Sequence, residues 1–189
     1  MPISNSQLEK IEAYVSSKLD SLNWAHTQAI RPIAQKLARL EKADKEIVDV
    51  AALFHDLGKY NGNIKDHEKR SGELARKYLE RENFDQRFIE EVVYCVSVHM
   101  LPWENKANLI STPEAKVLFD ADMIQQLSEF GIIKHAINYG ADIYENYKEG
   151  LVKTRDTLFK AYNLILTNNG RKLAEPGYKF VKEFFKNLF

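Results

Sequence analysis

Histidine and aspartate stand side by side at His55-Asp56, at the end of an apolar run, and this pair is where chemistry first shows in the sequence. An unpaired charge at a buried helix end is strongly disfavoured. A divalent cation offsets that cost by accepting a neutral imidazole nitrogen and a carboxylate oxygen together. A lone His-Asp dipeptide more often marks an exposed helix end, with the carboxylate solvated and the ring bonded to a backbone carbonyl. Three further histidines change the weighing. His26 shares an apolar stripe with Leu22, Ala29, Ile30 and Ile33. His67 begins a stripe through Ser71, Leu74, Ala75 and Tyr78, and His99 follows Phe88, Val92 and Cys95 at helical intervals. By periodicity each points toward the core side of its own helix. One core histidine is ordinary; a convergent set is a candidate metal site.

A second acidic feature lies in Leu118-Phe119-Asp120-Ala121-Asp122-Met123-Ile124. Carboxylates inside an apolar helical run need a partner, and a metal is an economical one. Asp122 groups with Leu118 and Ala115, whereas Asp120 groups with Val117 and Ile124, so periodicity leaves both open as the inward residue. No phosphate-binding glycine loop occurs among the eight glycines.

The elements that must position these residues read as helices throughout. Apolar residues recur at intervals of three and four, and no alternating segment competes with that pattern. Ser6 with Glu9 reads as a capping box that opens a helix running to about Leu19. Further helices are expected at about Asn23 to Leu40, with a bend or break at Pro32, and at Asp44 to Leu57, stopped by Gly58. A loop from Lys59 to Asp66 holds the Asn61-Gly62-Asn63 turn signal. Helices follow at His67 to Arg81, Asn83 to Met100 (capped by Asn83), Glu114 to Leu127, Gly131 to Tyr147, Leu151 to Leu166 and Pro176 to Leu188, the last set off by an Asn168-Asn169-Gly170 turn. Leu101 to Thr112 reads as irregular. The expected fold class is therefore all-α: a single-domain helical bundle over 1–189, with C-terminal helices at 151–189 packing on the rest.

Composition sets the boundaries. Hydrophobic residues make up 44% and charged residues 29%, a globular profile. Lys plus Arg equals Asp plus Glu, 27 against 27, so the overall field draws the chain toward neither nucleic acid nor an anionic membrane. The single cysteine, Cys95, forms no intrachain disulfide. Met1 to Lys10 has no apolar run of signal-peptide length, and no stretch reaches bilayer-spanning length. A cytoplasmic location is expected. The aromatic C-terminal stretch, with Phe180, Val181, Phe184, Phe185 and Leu188 on one face, is expected to pack on the domain or on a second subunit rather than on a membrane surface; a homodimer is expected, with no interface assigned.

The order His26, then His55-Asp56, then Asp122 on successive helices resembles the HD superfamily of metal-dependent phosphohydrolases. Ala51-Ala52-Leu53-Phe54-His55-Asp56-Leu57-Gly58-Lys59 and Asp120-Ala121-Asp122 are both similar to family signatures, and the resemblance covers roughly Asn23 to Tyr139. It implies an all-helical fold and a first metal held by His26, His55, Asp56 and Asp122. His67 and His99 stand where a subset of the superfamily places ligands for a second metal, with Asp56 bridging; in one-metal members, histidines in this region contact substrate phosphate or act as acid. The ion or ions are divalent, with Fe, Mn, Mg, Co, Ni and Zn not distinguished. The implied chemistry is hydrolysis of a phosphate ester of a nucleotide or related small molecule by metal-activated water. Lys59, just past the His-Asp pair, is placed to reach a substrate phosphate, with Arg31 a weaker candidate; either also reads as ordinary surface charge. Asp120 is expected to orient a ligand, and Trp103 to stack on a base or cover the core. Two other readings compete: a di-iron oxygenase of the same superfamily, separated by metal content and oxygen consumption, and a non-catalytic nucleotide-binding sensor.

Overall fold

The computed structural model describes residues 3–62 and 64–188, except the side chain of Asn61. Asn63, the last residue of the expected Asn61-Gly62-Asn63 turn, lies outside the described residues. Ten α-helices are described: α1 (Asn5–Ser16), α2 (Ser21–Glu41), α3 (Lys45–Phe54), α4 (His67–Arg81), α5 (Gln86–Val98), α6 (Pro113–Gln126), α7 (Glu129–Asn138), α8 (Gly140–Glu145), α9 (Tyr147–Leu164) and α10 (Asn168–Lys186). Short 3-10 turns occupy Leu57–Gly62, Leu101–Glu104 and Ala107–Leu109. No strand occurs among the described residues, and the architecture is all-α. None of the described helices is long and apolar enough to cross a membrane.

The chain forms two compact units, Met1–Phe119 and Asp120–Phe189. In the first, α3 is the hub. Ile47 through Phe54 are all buried, and α1, α2, α4 and α5 pack against the helix. A helix buried all round needs its ends satisfied. Asp44 caps the start, accepting from the Glu46 and Ile47 amides, while the Asp44 amide donates to Glu114 at 2.9 Å. One part-buried ion cluster fastens three helices together. The Arg31 guanidinium of α2 forks onto both oxygens of Asp49 on α3 at 2.8 and 2.9 Å and reaches Glu12 on α1 at 2.6 Å. Hydrogen bonding to Asp49 raises the pKa of the guanidinium further.

In the second unit α9 is the centre, packed by α7, α8 and α10. The Tyr162 and Tyr178 rings stack with centroids 3.9 Å apart, joining α9 to α10.

Several expected boundaries shift, each for a local reason. The capping box is Ser4 with Gln7 rather than Ser6 with Glu9, so α1 begins and ends earlier. Pro32 lies inside α2 without ending it. α3 stops at Phe54, because His55 already acts as its C-cap. Asp85, not Asn83, caps α5; Asn83 takes a left-handed conformation at φ 56° instead. The expected Gly131–Tyr147 helix is two helices, α7 and α8, and α9 starts at Tyr147. Asn168-Asn169-Gly170 is no turn but the first residues of α10, which Thr167 caps and which carries Pro176 inside it.

Candidate metal centre

Two helix ends and one helix start bring the imidazoles together. α3 ends at Phe54 and α5 at Val98, so His55 and His99 are the C-cap residues of the two helices. Carbonyls in the last turn of a helix lack intrahelical partners. Each histidine answers one of them: His55 Nδ1 lies 2.8 Å from Ala52 O, and His99 Nδ1 lies 2.6 Å from Val96 O. His67 opens α4 and does the same from the other side, with Nδ1 2.9 Å from Ile64 O. A carbonyl can only accept, so each Nδ1 carries a proton, and a ring in its neutral form presents the lone pair of Nε2.

Those Nε2 atoms surround one carboxylate. Asp56 Oδ2 is 3.4 Å from His55 Nε2 and 3.6 Å from His26 Nε2 on α2. Asp56 Oδ1 is 3.2 Å from His67 Nε2 and 3.8 Å from His99 Nε2. The carboxylate thus divides the set into two triads, His26–His55–Asp56 and Asp56–His67–His99, each with its ligand atoms within 4.8 Å of one another. All five residues are buried.

This donor set fits a cation. His67 Nε2 and His99 Nε2 are 3.3 Å apart. With both Nδ1 protons given to carbonyls, two lone pairs face each other and a third points at a carboxylate. A divalent metal shared among them turns repulsion into ligation, and the Nδ1 bonds are the outer contacts that fix the tautomer of ligating histidines. The C-terminal ends of α3 and α5, partially negative, also favour positive charge here. Burial pushes His99 down to about 3, with repulsion from His55 adding to it, so its ring stays neutral. In the metal-free protein, protons on Nε2 of His55 and His67 take the cation's place: burial would raise the Asp56 carboxyl, but charge on His55 and Lys59 and hydrogen bonds from His55 and His67 outweigh it, holding the group well below the usual carboxylate range.

The remaining expected residues are placed as follows. Lys59 Nζ sits 2.6 Å from Asp56 Oδ2, so this lysine is a neighbour of the carboxylate itself. Arg31, weighed as a phosphate contact, has its guanidinium committed to Asp49 and Glu12. Trp103 is part-buried in the 3-10 turn that follows His99. Asp120 and Asp122 are both buried on α6 and belong to the second unit. Within it, Asp122 Oδ1 accepts from Gln126 Nε2 at 3.2 Å, and Gln126 Oε1 in turn meets His135 Nε2 at 2.9 Å. Asp120 accepts from the Leu166 and Thr167 amides and the Thr167 hydroxyl. Neither the Gln126–His135 relay nor the Arg31 cluster carries a sequence signal, since nothing local pairs those residues.

The HD domain family model matches residues 23–127, more than half of the chain. The chain belongs to the HD-domain family. Among relatives of this HD protein is the uncharacterized protein YpgQ of Bacillus subtilis (strain 168), 24% identical over 192 residues that cover 96% of this chain and 92% of YpgQ. A crystal structure of YpgQ in complex with ADP superposes with a TM-score of 0.77, covering 97% of this chain and 93% of that one at 24% identity. The crystal structure of a predicted HD superfamily hydrolase from an uncultured Thermotogales bacterium gives a TM-score of 0.69 at 23% identity, over 96% of this chain and 90% of that one. The bifunctional uridylyltransferase/uridylyl-removing enzyme of Acinetobacter baylyi is 28% identical over 111 residues, 58% of this chain but 11% of that enzyme. The HD protein therefore has the fold of the HD superfamily hydrolases, with a His/Asp cluster suited to divalent metal.

Proposed function

We propose that this protein is a metal-dependent phosphohydrolase that cleaves a phosphate ester bond of a nucleotide or a related small phosphorylated molecule. The observation that carries the reading is the convergence of four imidazoles on both oxygens of Asp56, three with their Nδ1 protons committed to carbonyls. His26, His55 and Asp56 would hold one ion, with Asp122 assigned to the same ion by the family resemblance. His67 and His99 would hold a second, with Asp56 shared. The bound metal supplies an activated water and neutralises charge on a phosphoryl oxygen.

The protein's own groups do the rest. The carbonyls of Ala52, Ile64 and Val96 keep the rings in the ligating tautomer. Lys59 brings a cation to the edge of the site, on the Oδ2 side of Asp56, where an anionic phosphate meets it. In a one-ion form, His67 and His99 would instead face the substrate phosphate. Asp120 is left out of the chemistry, because both of its oxygens accept from residues 166–167. The nucleotide part of the proposal is supported by the ADP held in YpgQ, a relative across nearly the whole chain.

The test is metal analysis of protein purified without chelators, followed by phosphate release from a nucleotide panel with added Mn(II), Mg(II), Co(II) or Fe(II). Release that disappears in His55→Ala supports the reading. Metal-loaded protein that binds nucleotide but releases nothing makes the site a sensor, and oxygen uptake by an iron-loaded form makes it an oxygenase.

A further inference from the structure

The segment between Asp56 and His67 is buried at its start, at Leu57 and Gly58, but open further along: Tyr60 is 38% exposed and Ile64 72%. The start of α4 has no side-chain cap either, since its N-cap Asp66 is left-handed at φ 50° and makes no capping bond. Yet His67, the first residue of α4, must sit within reach of the same carboxylate that faces His26 and His55.

Two side chains near the start of α4 fix that relation. Ser71 Oγ, fully buried, accepts from the Gly58 amide at 2.8 Å. The Arg70 guanidinium donates to Gly58 O through Nε and Nη2 at 3.2 and 3.1 Å, and through Nη1 to Lys65 O. Gly58 is two residues beyond Asp56, and Lys65 directly follows Ile64, whose carbonyl orients His67. One side chain therefore ties the Asp56 end of the segment to the His67 end. The approach is so close that a Cβ on Gly58 would collide with His67 O and lie 2.9 Å from Ser71 N.

We propose that Arg70 and Ser71 are positioning residues that hold Gly58 against α4, so that the Asp56–His67–His99 triad stays in register with His26–His55–Asp56. The proposal rests on the two-ion form of the site. Neither residue belongs to either ligand triad; both act through the backbone at the two ends of the segment, as supporting residues of metal sites do.

The experiment titrates metal-free protein with Mn(II), following bound stoichiometry by calorimetry and the bound ions by electron paramagnetic resonance, for the parent, Arg70→Lys, Arg70→Met and Ser71→Ala. The expected result is two ions in the parent with an exchange-coupled signal. In the variants the weaker-held ion loses about 10–100-fold in affinity. The first ion stays within about twofold, and the coupled signal gives way to that of isolated Mn(II). Retention of the first ion shows that the unit is still folded, which a merely structural loss would not allow. If Arg70→Met unfolds, as the circular dichroism of the metal-free form would show, Ser71→Ala and Arg70→Lys decide. Two ions of unchanged affinity in all variants overturn the clamp and leave the two-ion form standing. Equal loss of both ions from folded variants also overturns it. A parent that takes up a single ion defeats the two-ion form itself, and the clamp's role with it.

Discussion

Asp56 and Asp120 are both aspartates with essentially no exposure, each deep in its own compact unit, yet their surroundings are opposites. Asp120 is met by donors. Leu166 N reaches Oδ1 at 2.7 Å, while Thr167 N and Thr167 Oγ1 reach Oδ2 at 2.8 and 2.7 Å. Gly170 packs so tightly on Oδ2 that a Cβ there would collide with it. Asp56 is met by imidazoles, three of which have their Nδ1 protons committed to backbone carbonyls and so, when neutral, turn only lone pairs toward it, with Lys59 as the cationic exception. A buried carboxylate ringed by amides is a fastener. A buried carboxylate ringed by lone pairs needs a cation. Burial alone does not separate the two; the hydrogen-bond sense of the neighbours does.

The largest effect that would sharpen this contrast is at Asp56 itself. Asp56→Asn keeps the shape and removes the charge both triads share, so tight binding of metal should vanish, measured as metal content after gel filtration. Retention of the parental content would mean that Asp56 is not the centre of the site.

At Asp120 the expected loss is one of stability instead. Asp120→Ala leaves two amides and a hydroxyl without their acceptor, a cost of about 3 kcal/mol once partial rehydration is allowed for. Denaturant unfolding should show that loss while metal stoichiometry stays at the parental value. A variant of parental stability that had lost its metal would erase the distinction between the two aspartates.

Much of this was legible in the sequence, and the remainder failed for identifiable physical reasons. Spacings of three and four gave the helices, and the histidines on those stripes, His26, His67 and His99, are buried. The HD family signature around His55-Asp56 also stood in the sequence. What did not show depended on distant partners. Arg31 looked available for phosphate because its partners, Glu12 and Asp49, lie a helix away on either side. Asn168-Asn169-Gly170 looked like a turn, but Thr167 caps a helix there and Asp120, far back in the sequence, holds that cap in place. Asn83 takes the left-handed backbone that asparagine tolerates better than most residues, and the cap falls to Asp85 two residues later. The Nδ1–carbonyl bonds were equally invisible, since helix ends must be placed to the residue before a C-cap histidine can be recognised.

The same contrast predicts a smaller effect of pH on the metal-free protein. The donors around Asp120, two amides and a hydroxyl, do not titrate in the ordinary range. His99 does: its ordinary value is 6.5, and burial with repulsion from His55 lowers it to about 3 in the folded state. Between those values the unfolded chain binds a proton at this position and the folded one does not. Folding stability from His99 is therefore fully present above pH 6.5 and drains away as pH falls toward 3, at up to about 1.4 kcal/mol per pH unit. His99→Asn retains a donor for Val96 O but cannot be protonated. Its unfolding free energy should fall less steeply over the same interval, compared by urea titration of both metal-free proteins at several pH values. Asp56, held below the ordinary carboxylate range, adds its own loss only at the acid end, below 3.8. Parallel slopes for the two proteins between pH 6 and 4.5 would show that His99 is not held neutral, and the acceptor-lined half of the comparison would fail with it.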